Sequence, residues 1–262
     1  MLVIGMIGGM SWHSTAEYYR LANELAAERL GGHHSARLLL YSLDFAAIEH
    51  MQATDQWHQA GEVLADAAQA LTSAGADLLI LCTNTMHKVA AHIESATSVP
   101  LLHIADVTAT AIEAMNIQRV GLLGTRYTMD QPFLREALEL HGLDVITPDP
   151  ADRKTVSGII FDELVHGTIT SDSQEAYLEV IGRLVQAGAE GVILGCTEIE
   201  LLLAGIELDI PLFPTTRLHV EAAIDEAIAR AHVRRVDQRA VQVEQVRPRR
   251  HGAPPPAPRT AV

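Results

Sequence analysis

Short apolar runs closed by glycine alternate with longer stretches of helical spacing along the first 230 residues. Residues 3–7 are apolar and end in Gly8-Gly9; residues 14–30 then carry Tyr18, Leu21, Ala22 and Leu25 on one helical face, and Gly31-Gly32 stop the helix. The same reading predicts strands over 37–41, 78–81 and 99–104. Helices are expected after Ser42-Leu43-Asp44-Phe45 and over 57–73, 86–95 and 106–115. The pattern then restarts. Strands are expected over 119–123, 144–147, 192–194 and 211–213, and helices over 132–141, 156–166, 173–187, 198–204 and 219–232, with 148–154 as a loop. Strands that alternate with helices and read as continuous apolar runs belong to parallel sheets covered on both faces.

The restart is an internal repeat. Ile4-Gly5-Met6-Ile7-Gly8 returns as Val120-Gly121-Leu122-Leu123-Gly124, Gly75-Ala76-Asp77 as Gly188-Ala189-Glu190, Cys82-Thr83 as Cys196-Thr197, and Val99-Pro100-Leu101-Leu102 as Ile210-Pro211-Leu212-Phe213. Four motifs recur in the same order 111 to 116 residues later. The expected architecture is α/β: two similar α/β domains with parallel-type sheets, 1–115 and 116–230, related by a pseudo-twofold axis. The last helix packs back on the first half, and the active site lies in the cleft between them.

Composition narrows the class. The 262 residues suffice for two small α/β domains. Aromatic residues are 4% against 48% hydrophobic overall, so small aliphatic side chains must fill the core. No apolar run reaches the length of a membrane span, which argues against a membrane partner. The net charge of -14 argues against nucleic acid. Residues 231–262 carry 7 of the 19 Lys and Arg with only Asp237 and Glu244 as acids, and end in RPRRHGAPPPAPRTAV; this basic, proline-rich tail is expected to be disordered.

The chain has two cysteines, and both fall in the repeat. Cys82 follows the run Leu78-Leu79-Ile80-Leu81, and Cys196 follows Val192-Ile193-Leu194-Gly195. Each stands at the carboxyl end of a strand where a helix begins, the side of an open parallel sheet on which ligands bind. They lack CxxC spacing and do not make a disulfide framework, so free thiols in a reduced, cytoplasmic setting are expected. A free cysteine is often a small core residue, but two in equivalent places, each followed by threonine, point to chemistry. If the halves face each other, the thiols stand on opposite walls of one cleft. A stereochemical inversion needs that arrangement: one group removes a proton from one face of a carbon while the other delivers a proton to the opposite face. A thiol with a free pKa of about 8.5 can be tuned for it by a helix start. Thr83, Asn84 and Thr85 on one side, and Thr197 and Glu198 on the other, offer backbone N–H groups at helix starts to a substrate carboxylate, and Asn84 and the threonines add side-chain donors.

Other residues carry weaker signals. Gly5, Gly8 and Gly9 do not form a nucleotide-binding GxGxxG, and His33-His34 lack a third ligand for a metal. His87 reads as a satisfied core or surface histidine rather than a proton relay. Trp12 fits the cleft mouth or the core equally, and Arg126, the counterpart of Met10 in the repeat, could attract a carboxylate but reads rather as a solvent-facing loop residue.

With those residues in view, IGMIGGMSWHSTAEYYR (4–20), LCTNTMHKV (81–89) and ILGCTEIELL (193–202) resemble the aspartate/glutamate racemase family over residues 1 to about 230. The resemblance implies a two-base amino-acid racemase with no cofactor and no metal, Cys82 and Cys196 as the acid–base pair, and a homodimer. It implies substrate contacts from Met10, Thr83, Asn84, Thr85 and Thr197, together with Ser11, Gln52 and Glu198. Two departures stand out. Neither an Arg within Ser42 to Gln52 nor a Lys within Glu163 to Gly167 is present to hold a side-chain carboxylate, which opens a broader amino-acid range, and Pro214 stands where many relatives have Asp. The rival readings are a hydantoin racemase or related thiol-dependent isomerase or decarboxylase, and a non-catalytic amino-acid-binding protein.

Overall fold

The computed structural model describes residues 1–246, with side chains through residue 233. The first half of the chain runs β1 (Ile4–Gly8), α1 (Trp12–Leu30), β2 (Leu38–Ser42), α2 (Phe45–Ala53), α3 (Trp57–Ser73), β3 (Leu78–Leu81), a tight turn of helix at Thr85–Val89 leading into α4 (Ala90–Ala96), β4 (Leu101–Leu102) and α5 (Ile104–Glu113). The second runs β5 (Arg119–Gly124), α6 (Arg126–Asp130), α7 (Pro132–Glu139), β6 (Asp144–Ile146), α8 (Pro150–Asp162), α9 (Ser171–Gln186), β7 (Gly191–Gly195), α10 (Thr197–Leu202), β8 (Leu212–Pro214) and α11 (Thr215–Val246).

Two four-stranded sheets result, in the orders β2-β1-β3-β4 and β6-β5-β7-β8, and every pairing is parallel. The strand order is therefore the same in both sheets, as the repeated motifs require. The central strands β1, β3 and β7 are buried along their whole length, and β5 is buried apart from Arg119. That burial is why they read as unbroken apolar runs.

Helices cover both faces of each sheet, but they are exchanged between the halves. α5 buries Ile104, Ala105, Ala109 and Ile112 against Val120 and Leu122 of the second sheet, with α7 beside it. α11 buries Val220, Ala223, Ile224 and Ala227 against Ile4, Met6 and Ile80 of the first sheet and against α1. Each half thus ends in a helix that completes the other's core. The apolar stripe of each exchanged helix, worth roughly 1.5–3 kcal/mol for each fully buried Ile or Val, joins the two sheets into one body.

Three sequence expectations need correction. Residues 148–154 are not a loop throughout: α8 starts at Pro150, with Asp149 accepting hydrogen bonds from the N–H groups of Ala151 and Asp152 at 2.9 Å. Aspartate followed by proline is a helix-start signal. Arg126 is the first residue of the short helix α6, capped by Thr125, rather than a loop residue. α11 continues through Val246 into the stretch expected to be disordered. Residues 231–246 contain no proline or glycine, so nothing in them stops a helix; the first proline of the tail is Pro248. The rest of that tail, 247–262, lies outside the described residues.

Candidate active site

One small cavity, of about 60 Å³, collects every site residue expected from the sequence: Met10, Ser11, Gln52, Cys82, Thr83, Asn84, Thr85, Cys196, Thr197 and Glu198. Residues of both halves line it. Both cysteines are free; Cys82 is buried and Cys196 partly so.

Each wall begins at a strand end. The Cys82 N–H donates to the Ile7 carbonyl at 2.9 Å, which extends the pairing of β3 with β1 by one residue. The chain then turns, and the Thr83 carbonyl accepts from His87 Nδ1 at 2.7 Å. The Ile104 N–H donates to His87 Nε2 at 3.3 Å, so the imidazole is neutral with its proton on Nδ1. Burial, then the neighbouring His103 and His219 rings, push the His87 pKa well down. His87 is thus a satisfied core histidine that pins the Cys82 turn to the start of α5.

Asn84 reaches across to the other half. Its Nδ2 donates to Thr215 Oγ1 at 2.9 Å, and Thr215 Oγ1 donates to the Leu194 carbonyl at 2.9 Å. Because the threonine hydroxyl spends its proton on Leu194, it must accept from Asn84, which fixes the amide orientation. Asn84 Oδ1 is left buried with no hydrogen-bond partner among the described residues. A buried unpaired acceptor costs about 1–3 kcal/mol, and here it lies in a residue lining the cavity.

On the second wall, Cys196 precedes α10. Its Sγ donates to Glu198 Oε2 at 2.9 Å, and Glu198 Oε1 accepts from Ser14 Oγ of α1 at 2.9 Å. Burial, then the Glu198 carboxylate, push the Cys196 thiol well up, while a hydrogen bond from the Glu198 backbone acts the other way. Burial alone raises Cys82. Thr197 Oγ1 and Thr216 Oγ1 are 2.8 Å apart, and Thr85 Oγ1 lies 3.1 Å from Thr125 Oγ1. Gln52 Nε2 donates to Met86 Sδ at 3.1 Å, which fixes that side chain as part of the wall. Ser11 caps α1, and Met10 belongs to the core beside it.

Ser14, Phe45, Thr125, Tyr127, Ile160, Phe161, Val165 and Gly195 also line the cavity and were not singled out from the sequence. The repeat could have found Thr125 and Tyr127, since aligning Gly8 with Gly124 sets them opposite Gly9 and Ser11. Nothing local marks Phe161 or Val165, which approach through the packing of α8 and the turn after it. Trp12 is 65% exposed and lies outside the cavity lining. A second cavity of about 590 Å³ adjoins the first and shares Gln52, Tyr127 and Phe161 with it. Among the described residues, no helix is long and apolar enough to cross a membrane, and no cluster of three His, Cys, Asp or Glu side chains is placed to hold a metal ion.

Residues 7–223 match the family described as Asp/Glu/hydantoin racemase. A candidate Asp/Glu racemase from Yersinia pestis, known as a crystal structure, is 51% identical; the match covers 87% of this chain and 100% of that one, with a TM-score of 0.82. An aspartate racemase homologue from Pyrococcus horikoshii OT3 is 32% identical over 87% of this chain and 99% of its own, with a TM-score of 0.77. The broad specificity amino-acid racemase RacX of Bacillus subtilis (strain 168) is 24% identical over 238 residues, which is 87% of this chain and 99% of that protein.

Proposed function

The chain belongs to the Asp/Glu/hydantoin racemase family, and from that premise we propose that it is a cofactor-independent amino-acid racemase that inverts Cα between the thiols of Cys82 and Cys196. The observation that carries the reading is that both thiols, at equivalent strand ends of two like sheets, line one cavity.

Chemistry follows from the contacts. Glu198 Oε2 takes the Cys196 proton and leaves a thiolate. The thiolate removes the proton from one face of Cα, and the electron pair of that bond delocalises into the substrate carboxylate. The Cys82 thiol then protonates the opposite face. The reverse reaction uses the groups in exchanged roles, and proton exchange with solvent resets the pair after product leaves. Burial that makes each thiolate scarce also makes it a stronger base, which removal of a weakly acidic Cα proton requires. Such acid–base assistance contributes typically about 10²–10⁴ in rate. The unpaired Asn84 Oδ1 supplies an acceptor for the substrate ammonium, and the hydroxyls of Thr83, Thr85 and Thr197 supply donors to its carboxylate.

The absence of an arginine between Ser42 and Gln52 favours aspartate and glutamate less than a broad range of amino acids. Chiral chromatography of the proteinogenic amino acids after incubation with the protein tests the reading. Conversion of at least one of them, lost in both Cys82→Ala and Cys196→Ala, is the expected result; conversion that persists in either variant contradicts it. The homodimer expected from the resemblance is checked separately by light scattering.

A further inference from the structure

The thiol cavity, at about 60 Å³, has little room beyond the reacting carbon and its immediate substituents, and the adjoining cavity of about 590 Å³ is nearly ten times larger. Gln52, Tyr127 and Phe161 line both and form the neck between them. Any substituent on Cα that outgrows the inner space has this neck as a way out.

The outer cavity is charged in an ordered way. Arg153 and Asp130 neutralise one another through an ion pair of 2.8 Å. Arg126 donates to the Tyr127 hydroxyl at 2.8 Å and lies 4.7 Å over its ring, which holds a guanidinium at the neck. Lys154 lines the cavity and makes no ion pair among the described residues. Glu49 is the remaining carboxylate, so the unpaired lining carries one excess positive charge. The body of the protein is strongly acidic, with a net charge of -14 even when the basic tail is included. A positive pocket in that field is set to receive an anion.

Gly158 adds a steric observation. It sits inside α8, where glycine is less favourable than alanine. A Cβ built there would meet only Asp162 Oδ2, at 3.8 Å, so close packing does not explain the glycine. What the missing side chain preserves is space in the outer cavity, which Gly158 lines.

We propose that the outer cavity is the side-chain subsite of this protein, and that it selects α-amino acids whose side chain is longer than that of glutamate and ends in an anionic group, which Arg126 and Lys154 hold. The proposal rests on the racemase reading and adds a substrate class to it.

The test uses four L-amino acids: alanine, which stays within the inner site, and three of six carbons that differ only at the chain end, namely 2-aminoadipate (anionic), norleucine (neutral) and lysine (cationic). Racemisation is measured for the full chain, for Gly158→Leu and for Lys154→Glu. The original protein is expected to give the highest kcat/KM with 2-aminoadipate and the lowest with lysine among the six-carbon set. Gly158→Leu, which fills the cavity and favours the helix, is expected to lower the 2-aminoadipate to alanine ratio at least tenfold. Lys154→Glu is expected to lower the 2-aminoadipate to lysine ratio at least tenfold. Alanine turnover with neither ratio moved, or lysine preferred by the original protein, would overturn the subsite while leaving the racemase reading intact. No turnover of any of the four would overturn the subsite as well, while the racemase reading stands or falls with the separate screen of the proteinogenic amino acids.

Discussion

Cys196 Sγ and Glu198 Oε2 are 2.9 Å apart, and this contact breaks the symmetry that the repeat otherwise imposes. The residue two places beyond Cys82 is Asn84, a neutral amide whose Nδ2 donates to Thr215. One thiol therefore has a carboxylate to receive its proton and the other does not, so the two directions of the reaction start from different proton inventories.

Replacing Glu198 with glutamine separates two effects of that contact. The carboxylate holds the Cys196 thiol up by its charge and by accepting its hydrogen bond, so removing it lowers the pH at which the sulfur becomes reactive. It also removes the proton acceptor. In a Cys82→Ala background, the midpoint of iodoacetamide alkylation against pH is expected to move down in Glu198→Gln. In the otherwise intact protein, the same substitution is expected to lower racemisation by about 10²-fold or more. A more reactive thiol paired with a slower enzyme is the diagnostic combination.

The buried histidines set the acid limb of stability. Burial pushes His87 well down, lowers His103, and brings His219 to about 4. His219 takes its hydrogen bonds from Tyr18 on Nδ1, at 3.1 Å, and with the Leu102 carbonyl on Nε2, at 2.8 Å. The unfolded chain, with histidines near pH 6.5, binds protons that the folded chain refuses. The contribution of the histidines is accordingly flat above this value, and it falls as pH drops from about 6.5 through the folded pKa of His219. Thermal denaturation across pH 4 to 8 is expected to show this slope, and His219→Gln is expected to make it shallower.

Glu200 acts in the opposite sense. Burial raises its pKa to about 8, partly offset by hydrogen bonds from Thr216, whose N–H donates to Oε1 at 2.8 Å. The folded protein prefers the protonated acid, so the contribution of this group is lost as pH rises from the ordinary carboxylate range through about 8. Glu200→Gln keeps the acceptor oxygen for Thr216 and removes the charge. Its Tm is expected to exceed that of the original protein at pH 9, with the gap closing toward pH 4.5.

Gly9 has φ +91°, and a Cβ there would overlap the Leu43 carbonyl oxygen. This is the turn that delivers Met10 and Ser11 to the cavity. Gly9→Ala is expected to cost roughly 2–3 kcal/mol or more in urea denaturation.

How far such features could be read in advance depended on whether they are local. Apolar runs of four to six residues gave the central strands, because burial on both faces leaves no polar position in them. The repeated Cys-Thr step located both walls of the cavity. The return of the last helix to the first half was expected from the repeat; what the pattern could not carry was the crossing of α5 to the second sheet, the reach of Asn84 to Thr215 and the arrival of Phe161 at the neck, which all depend on how the halves are docked. The start of α8 is different, since Asp149-Pro150 is itself a local helix-start signal.

The central claim is that one sulfur removes the Cα proton from one face while the other delivers a proton to the opposite face. Its most direct test follows a single enantiomer of a turned-over amino acid in D2O and measures deuterium at Cα of substrate and product separately at early times. Two opposed thiols, each carrying its own proton, predict that the antipode is deuterated from the start while recovered substrate keeps its hydrogen. Substrate that gains deuterium as fast as the antipode does, or exchange that survives Cys82→Ala together with Cys196→Ala, would contradict it.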